Sequence, residues 1–464
     1  MGDIEKHGSH HGQNSDSLSR TSTKQEDIEE TEHPVQEPIS RTKSIASRLE
    51  NTVLSRLTTR SIVNPGPPPD GGWKAWLQVF CAWLAIMNTW GFVNSFGAFQ
   101  TYYSEILPQS PSTISWIGSI QACLMFLLGI FSGRALDAGL FLPTIMVGIA
   151  FQIVGIFTMS VSKNYWQLFL TQGVLTGIGG GIFFTPCMGL VSTYFAKKRG
   201  MALGIVTSGN SFGGIIYPLV VRQLLPKIGF GWTVRVLGFM NLIALGIIIA
   251  FMRPRLPPRK AGPIVELAAL KDVPYILFVA GICFCISAIY FVFYYIGSFA
   301  RDTIGISYIG SLNLVIVLNG VGIPARIIPG IIADRYLGVL NTHIPLICAS
   351  VVLLYSWTAI SSLGGFYTFT VIYGMIAGGW QSLFPTAIAS LSDDLSRAGT
   401  RLGMAFSSIA LAALVGGPIG GQLIAKGDGY WPGIVWCATT TLVGCVFVIA
   451  ARIVKYGTTW KVKC

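Results

Sequence analysis

The sequence predicts an all-α membrane protein, with twelve transmembrane helices in two pseudo-symmetric six-helix bundles. Three observations carry this. The chain of 464 residues is 52% hydrophobic and only 11% charged, with a mean hydropathy of +0.60, whereas soluble domains carry about 25% charge. Its apolar residues fall in repeated continuous runs, each long enough to cross roughly 30 Å of hydrocarbon as a helix. The two halves also match one another in short motifs. Strands closed into a barrel would alternate apolar and polar residues, and these runs do not.

The elements follow in order. Residues 1–70 are polar and rich in Ser, Thr, Glu, Lys and His. They bury too little apolar area to offset chain entropy and read as a disordered cytosolic tail. The spans are expected at 77–102, 113–133, 140–161, 166–190, 201–223, 233–252, 274–297, 308–331, 344–362, 366–390, 402–424 and 432–453. The run Arg253-Pro-Arg-Leu-Pro-Pro-Arg-Lys260 opens a basic, Pro-rich connection. It marks 254–273 as a cytosolic linker between an N-terminal bundle (71–253) and a C-terminal one (274–454), with 455–464 as a short cytosolic tail.

The formal net charge of +12 would suggest nucleic acid in a soluble chain. Here the cations flank apolar runs and read as topology signals. Lys74, Arg134, Lys197, Lys198, Arg199, Arg253, Arg335, Arg401 and Arg452 would gather on one side, and Lys163, Arg222, Lys227, Arg301 and Lys426 on the other. The positive-inside rule then puts both termini in the cytosol, with the plasma membrane as the expected location. Eight of the nine cysteines fall within apolar runs at scattered spacing, as expected of reduced packing residues. No phosphate-binding loop, metal-ligand cluster or catalytic triad is present. The expectation is therefore a carrier with no cofactor and no metal, not an enzyme and not an ATP-driven pump.

The repeat is specific. Gly133-Arg-Ala-Leu-Asp137 follows span 2 and Gly330-Ile-Ile-Ala-Asp334-Arg335 follows span 8. Pro186 matches Pro385, Gly200-Met-Ala202 matches Gly403-Met-Ala405, and Pro218 matches Pro418, all at a nearly constant offset. Parallel repeats around a midplane cavity resemble the major facilitator superfamily. Asp70-Gly-Gly-Trp73 with Trp76, the helix ending Tyr103-Ser-Glu-Ile106, and Tyr194-Phe-Ala-Lys-Lys-Arg-Gly-Met-Ala-Leu-Gly204 resemble the monocarboxylate transporter family. The long tail and Gly399-Thr-Arg-Leu-Gly-Met404 are similar to its fungal branch. The resemblance runs from about 68 to 454.

Candidate site residues follow from depth. An ionisable residue inside a span is costly and defaults to function. Arg326, in the middle of span 8, is the clearest, with Asn319 two turns earlier on the same face. The resemblance aligns Arg326 with the arginine that holds the substrate carboxylate. It also implies an acid one turn before that arginine and a lysine in span 1; here those positions hold Gly322 and, approximately, Gly97, with Asn94 nearby. Superfamily analogy lines the cavity with spans 1, 4, 7 and 10, which adds Asn88, Trp90, Gln172, Tyr290, Tyr294, Trp380 and Gln381 as amphipathic candidates. Glu105 and Asp302 read as charges at span ends, and His343 as a loop residue. The small, polar stretch Thr207, Ser208, Asn210, Ser211, Gly213, Gly214 reads first as close packing.

The Gly-x-x-x-Asp turns imply latches. Asp137 is expected near the start of span 11 at Arg401–Gly403. Asp334, followed by Arg335, is expected near the start of span 5 at Arg199–Met201. The functional expectation is a secondary active or facilitative transporter of a small organic anion or aromatic-containing metabolite. It would work as a monomer by alternating access, with room for a coupled proton. The alternative, from the Ser/Thr-rich tail, is a transporter-like nutrient sensor.

Overall fold

The computed structural model describes residues 66–196, 198–256, 265–391, 398–426 and 429–458. The expected tail lies almost wholly outside them, as do the middle of the linker and the last residues of the chain. The side chains of Asp137, Arg199 and Asp334 lie outside them as well.

Apolar runs become helices because, without water, each backbone N–H and C=O must be paired within its own segment. In order these are α1 (Gly72–Ile106), α2 (Pro111–Asp137), α3 (Phe141–Met159) and α4 (Tyr165–Tyr194). Then come α5 (199–228) and α6 (230–251), joined through Gly229, whose φ of 73° breaks one long helical run. The second set is α7 (Val273–Ile304), α8 (Tyr308–Ile332), α9 (Val339–Trp357), α10 (Leu363–Leu391), α11 (Ala398–Lys426) and α12 (Trp431–Tyr456). Even the 19-residue α3 reaches about 28 Å. Among the described residues there is no strand.

The surface confirms the solvent. Ile243, Val352 and Leu411 are each about two-thirds exposed on helix faces, which a soluble protein would avoid and hydrocarbon favours. Trp73, Trp166, Trp232 and Trp431 are exposed near helix ends, where amphipathic rings settle at the headgroups.

Within the first set α1 packs on α5, and α4 on α2 and α3; within the second α7 packs on α12 and α11, and α10 on α8 and α9. Across the sets, α2 lies against α11, α5 against α8, and α1 against α7. Close approach is set by glycine. A Cβ on Gly213 would overlap Met87 O and fall 2.7 Å from Gly91 Cα, so α5 and α1 meet backbone to backbone.

Two local features were not expected from the sequence. The chain turns through a π-helix at Phe169–Leu175 inside α4. In α1 the helix breaks at Thr89 and Ser95, whose hydroxyls bond back to Ala85 O (2.8 Å) and Gly91 O (2.7 Å). Such back-bonding competes with the helical ladder and bends it.

One placement is corrected. His343 is not in a loop: α9 starts at Val339, and His343 is fully buried, with Nε2 3.1 Å from Trp380 O. The helix begins earlier than hydropathy suggests because its polar first turn points into the protein. There Asn341 Oδ1 accepts from Arg452 Nε at 3.0 Å, so Arg452 is buried rather than set at a surface.

Candidate functional site

The bent middle of α1 faces a cavity shared by both sets of helices. Its wall carries seven aromatic residues, several in ring contact. Trp90, lying between the two breaks of α1, contacts Phe126 of α2 (ring centroids 4.6 Å apart) and Phe184 of α4 (5.6 Å). Phe126 continues to Phe406 of α11 (5.5 Å), which meets Phe384 of α10 (6.1 Å). The ring chain therefore crosses from the first set to the second at Phe126–Phe406.

Polar groups on this wall are few: Asn94, Thr207, Asn210, Tyr290, Arg326, Gln381 and Ser382. Arg326 is 5% exposed, and its Nε donates to Ser211 Oγ of α5 at 3.0 Å. The Asn210 amide is assigned with its oxygen towards the guanidinium, the orientation that lets it accept from Arg326. That oxygen accepts from Arg326 Nη2 at 3.1 Å and from Asn94 Nδ2 at 3.2 Å, while its nitrogen donates to Trp90 O at 3.0 Å. Among the described residues no carboxylate pairs with Arg326; Glu105 and Asp302 are engaged by Arg301 at 3.1 and 2.8 Å.

The structure brings Arg326, Asn94, Tyr290 and Gln381 to one cavity. The other candidates lie behind it. Asn319 does share a helix face with Arg326, but it sits in the α5–α8 seam against Gly214, with Nδ2 bonded to Val315 O at 2.9 Å. Tyr294 packs edge-on to Phe96, ring centroids 4.8 Å apart, and is fully buried. Trp380 turns towards His343, ring centroids 6.3 Å apart. Asn88 and Gln172 bond to Tyr217 and Tyr103 (2.8 and 2.7 Å) inside the first set. Thr207 and Asn210, expected as close packing, also line this cavity, and Asn210 and Ser211 contact Arg326; their signal was polarity at the helical spacing of α5, and their partner on α8 is not legible along the chain.

The glycines at the two departing positions have a steric cause. A Cβ at Gly97 would overlap Phe293 O of α7, and one at Gly322 would lie 2.9 Å from Ser211 Oγ. At Gly97 the obstacle is backbone, so a longer side chain would push apart helices of opposite sets; at Gly322 it is a serine hydroxyl, which can rotate.

One end of the bundle, where α1 and α7 finish, is sealed across the two sets. Tyr308 Oη donates to Ala98 O at 3.2 Å, Ser112 Oγ to Pro418 O at 2.8 Å, and Tyr295 Oη to Pro111 O at 3.0 Å. Arg301 and Glu105 close the rim. At the opposite end Arg401 is held by Glu266 (3.2 Å) and Asp272 (2.6 Å), and its carbonyl accepts from Tyr275 Oη at 2.7 Å. Gly403 stands beside Ile130 of α2. Arg335 lies exposed in the π-helical turn Ala333–Leu337. The expected latches rest on Asp137, Asp334 and Arg199, whose side chains are outside the described residues.

Comparison with known proteins decides the family. The Major Facilitator Superfamily profile matches residues 78–403. The chain belongs to the major facilitator superfamily. An MFS-type transporter of Gibberella zeae is 44% identical over 83% of this chain and 88% of its own length. The MFS-type transporter dbaD of Emericella nidulans is 36% identical over 82% and 87%. The aspyridones efflux protein apdF of the same organism is 30% identical over 86% and 82%. This superfamily member is thus a multi-pass membrane transporter of small molecules, similar to fungal proteins named as transporters and not as enzymes.

Proposed function

We propose that the chain is a secondary transporter for a small organic anion with an aromatic body, of the monocarboxylate-like branch. It works by alternating access between its bundles at 71–253 and 274–454, in the plasma membrane with both termini cytosolic. The observation that carries this is Arg326: a buried guanidinium on the cavity wall whose protein partners are neutral. An isolated charge at bilayer depth costs at least about 2.5–3.5 kcal/mol, and an anionic substrate offsets that cost on binding. The ring chain from Phe184 to Phe384 supplies apolar area to hold the substrate's body. The sealed rim makes this the conformation closed at the Arg301 end, which the charge asymmetry assigns to the outside. Among the described residues no carboxylate or histidine lines the cavity. The name of the apdF relative, an efflux protein, favours export of a secondary metabolite.

The test compares metabolites inside and outside cells producing wild-type protein, Arg326→Lys or Arg326→Gln at equal surface abundance. Losing a charged hydrogen bond slows transport by about 10–100-fold, so a compound whose distribution depends on wild type should cease to respond to Arg326→Gln and respond weakly to Arg326→Lys. Wild-type redistribution by either variant overturns the reading.

A further inference from the structure

Arg326 is a residue of α8, yet both of its partners belong to α5 in the opposite bundle. The geometry that makes this reach possible is built into glycines. Gly209 and Gly213 press α5 onto the carbonyls of Trp83 and Met87 in α1. Gly214 lets Asn319 of α8 approach, and Gly322 lets Ser211 approach α8 in turn. Asn210 and Ser211 therefore sit at fixed places, and Ser211 is fully buried. Nε and Nη2 of Arg326 are taken by these two residues, while Nη1 makes no hydrogen bond among the described residues.

We propose that Asn210 and Ser211 are the positioning and specificity residues of the anion site: they orient the Arg326 guanidinium through Nε and Nη2 so that its Nη1 end meets a flat aromatic monoanion. The inference rests on the anion reading above. Its logic is that neutral acceptors orient a cation without cancelling it. A carboxylate at either position would orient the guanidinium equally well and would also neutralise it, leaving no attraction for a second anion. With the side of the fork held by α5, chelation along the Nε edge is closed, and the substrate oxygen approaches end-on. Its ring system then extends along the wall of Trp90, Phe126 and Phe406. The asparagine has a second tie, to Asn94 and the Trp90 carbonyl, so the bend of α1 and the aim of the guanidinium are set together.

The experiment measures binding of 1-naphthoate and its neutral isostere 1-naphthamide to the purified full-length protein by titration calorimetry. Wild type should prefer the acid. Asn210→Asp, an isosteric change that hands Arg326 an internal counter-ion, should lower naphthoate affinity by about tenfold or more, without a comparable loss for the amide. Ser211→Ala, which releases Nε, should lower it less, about three- to tenfold. Retained amide binding reports an intact cavity in each variant. If Arg326→Gln loses the acid preference while Asn210→Asp and Ser211→Ala both keep it, the positioning roles are wrong and the anion site stands. If wild type shows no acid preference, or Arg326→Gln keeps it, the anion reading fails and this inference with it.

Discussion

Gly97 is the position where a single methyl group should change the conformational balance of the transporter. The perturbation is Gly97→Ala. In the conformation described here a Cβ at this site overlaps the carbonyl oxygen of Phe293, across the α1–α7 seam. The obstacle is backbone, so no side-chain rotation relieves it, and the helices must part by roughly 1 Å to reach ordinary contact. Overpacking of this kind costs about 1–3 kcal/mol. The cost falls on the form sealed at the Arg301 end and not on one in which α1 and α7 separate. The ratio of the two forms should therefore shift by about 5–150-fold towards the open one. Spin labels at Ile106 and Ile309, both well exposed at that end, would report the shift as a longer distance distribution in a background lacking the reactive native cysteines. Gly204→Ala is the control, since a Cβ there meets nothing within 4 Å; it should leave the distribution unchanged. If Gly97→Ala gives the same distances and turnover as the control, the seam is not a steric switch and the reasoning is refuted.

Two further expectations concern the other end. Arg401→Leu removes the guanidinium shared by Glu266 and Asp272, where Arg401 and Glu266 are largely buried. Stability in detergent should fall by about 3–5 kcal/mol, and the triple change Arg401→Leu, Glu266→Gln, Asp272→Asn should recover much of it; an unchanged melting temperature for the single variant would show the cluster to be incidental. Asp70, held in the left-handed region at φ 50°, accepts from Ala196 N at 2.6 Å and Lys198 N at 3.3 Å. Asp70→Ala should cost about 1–3 kcal/mol and raise amide exchange at Ala196 and Lys198, and unaltered exchange there would show that these two bonds do not hold the turn before α5.

What was legible in the sequence was whatever depends on a run or a period. The spans announce themselves because lipid demands length and continuity from every helix alike. Arg326 announces itself because no surface role explains a guanidinium at that depth. What hydropathy cannot resolve is direction. His343 reads as loop because a polar residue aimed inward at Trp380 scores the same as one in water. Gln381 and Trp380 are neighbours in sequence yet about 100° apart around α10, so one lines the cavity and the other packs on α9. Tyr294, one turn beyond Tyr290, falls behind the wall rather than on it.

The two glycines show the deeper limit. Read along the chain, Gly322 and Gly97 are losses: a family's acid and lysine replaced by nothing. Read across the seam, each is occupied space, filled at Gly322 by Ser211 and at Gly97 by the Phe293 carbonyl. The acid's orienting task has a substitute within reach of Arg326, a hydroxyl and an amide from α5. Its charge has none among the described residues. On the anion reading proposed above, a site that keeps the arginine's orientation without an internal counter-ion leaves the ion pair to its cargo. On that reading an acid placed at Gly322 would turn the Ser211 hydroxyl away from Arg326 and compete with the substrate for the guanidinium.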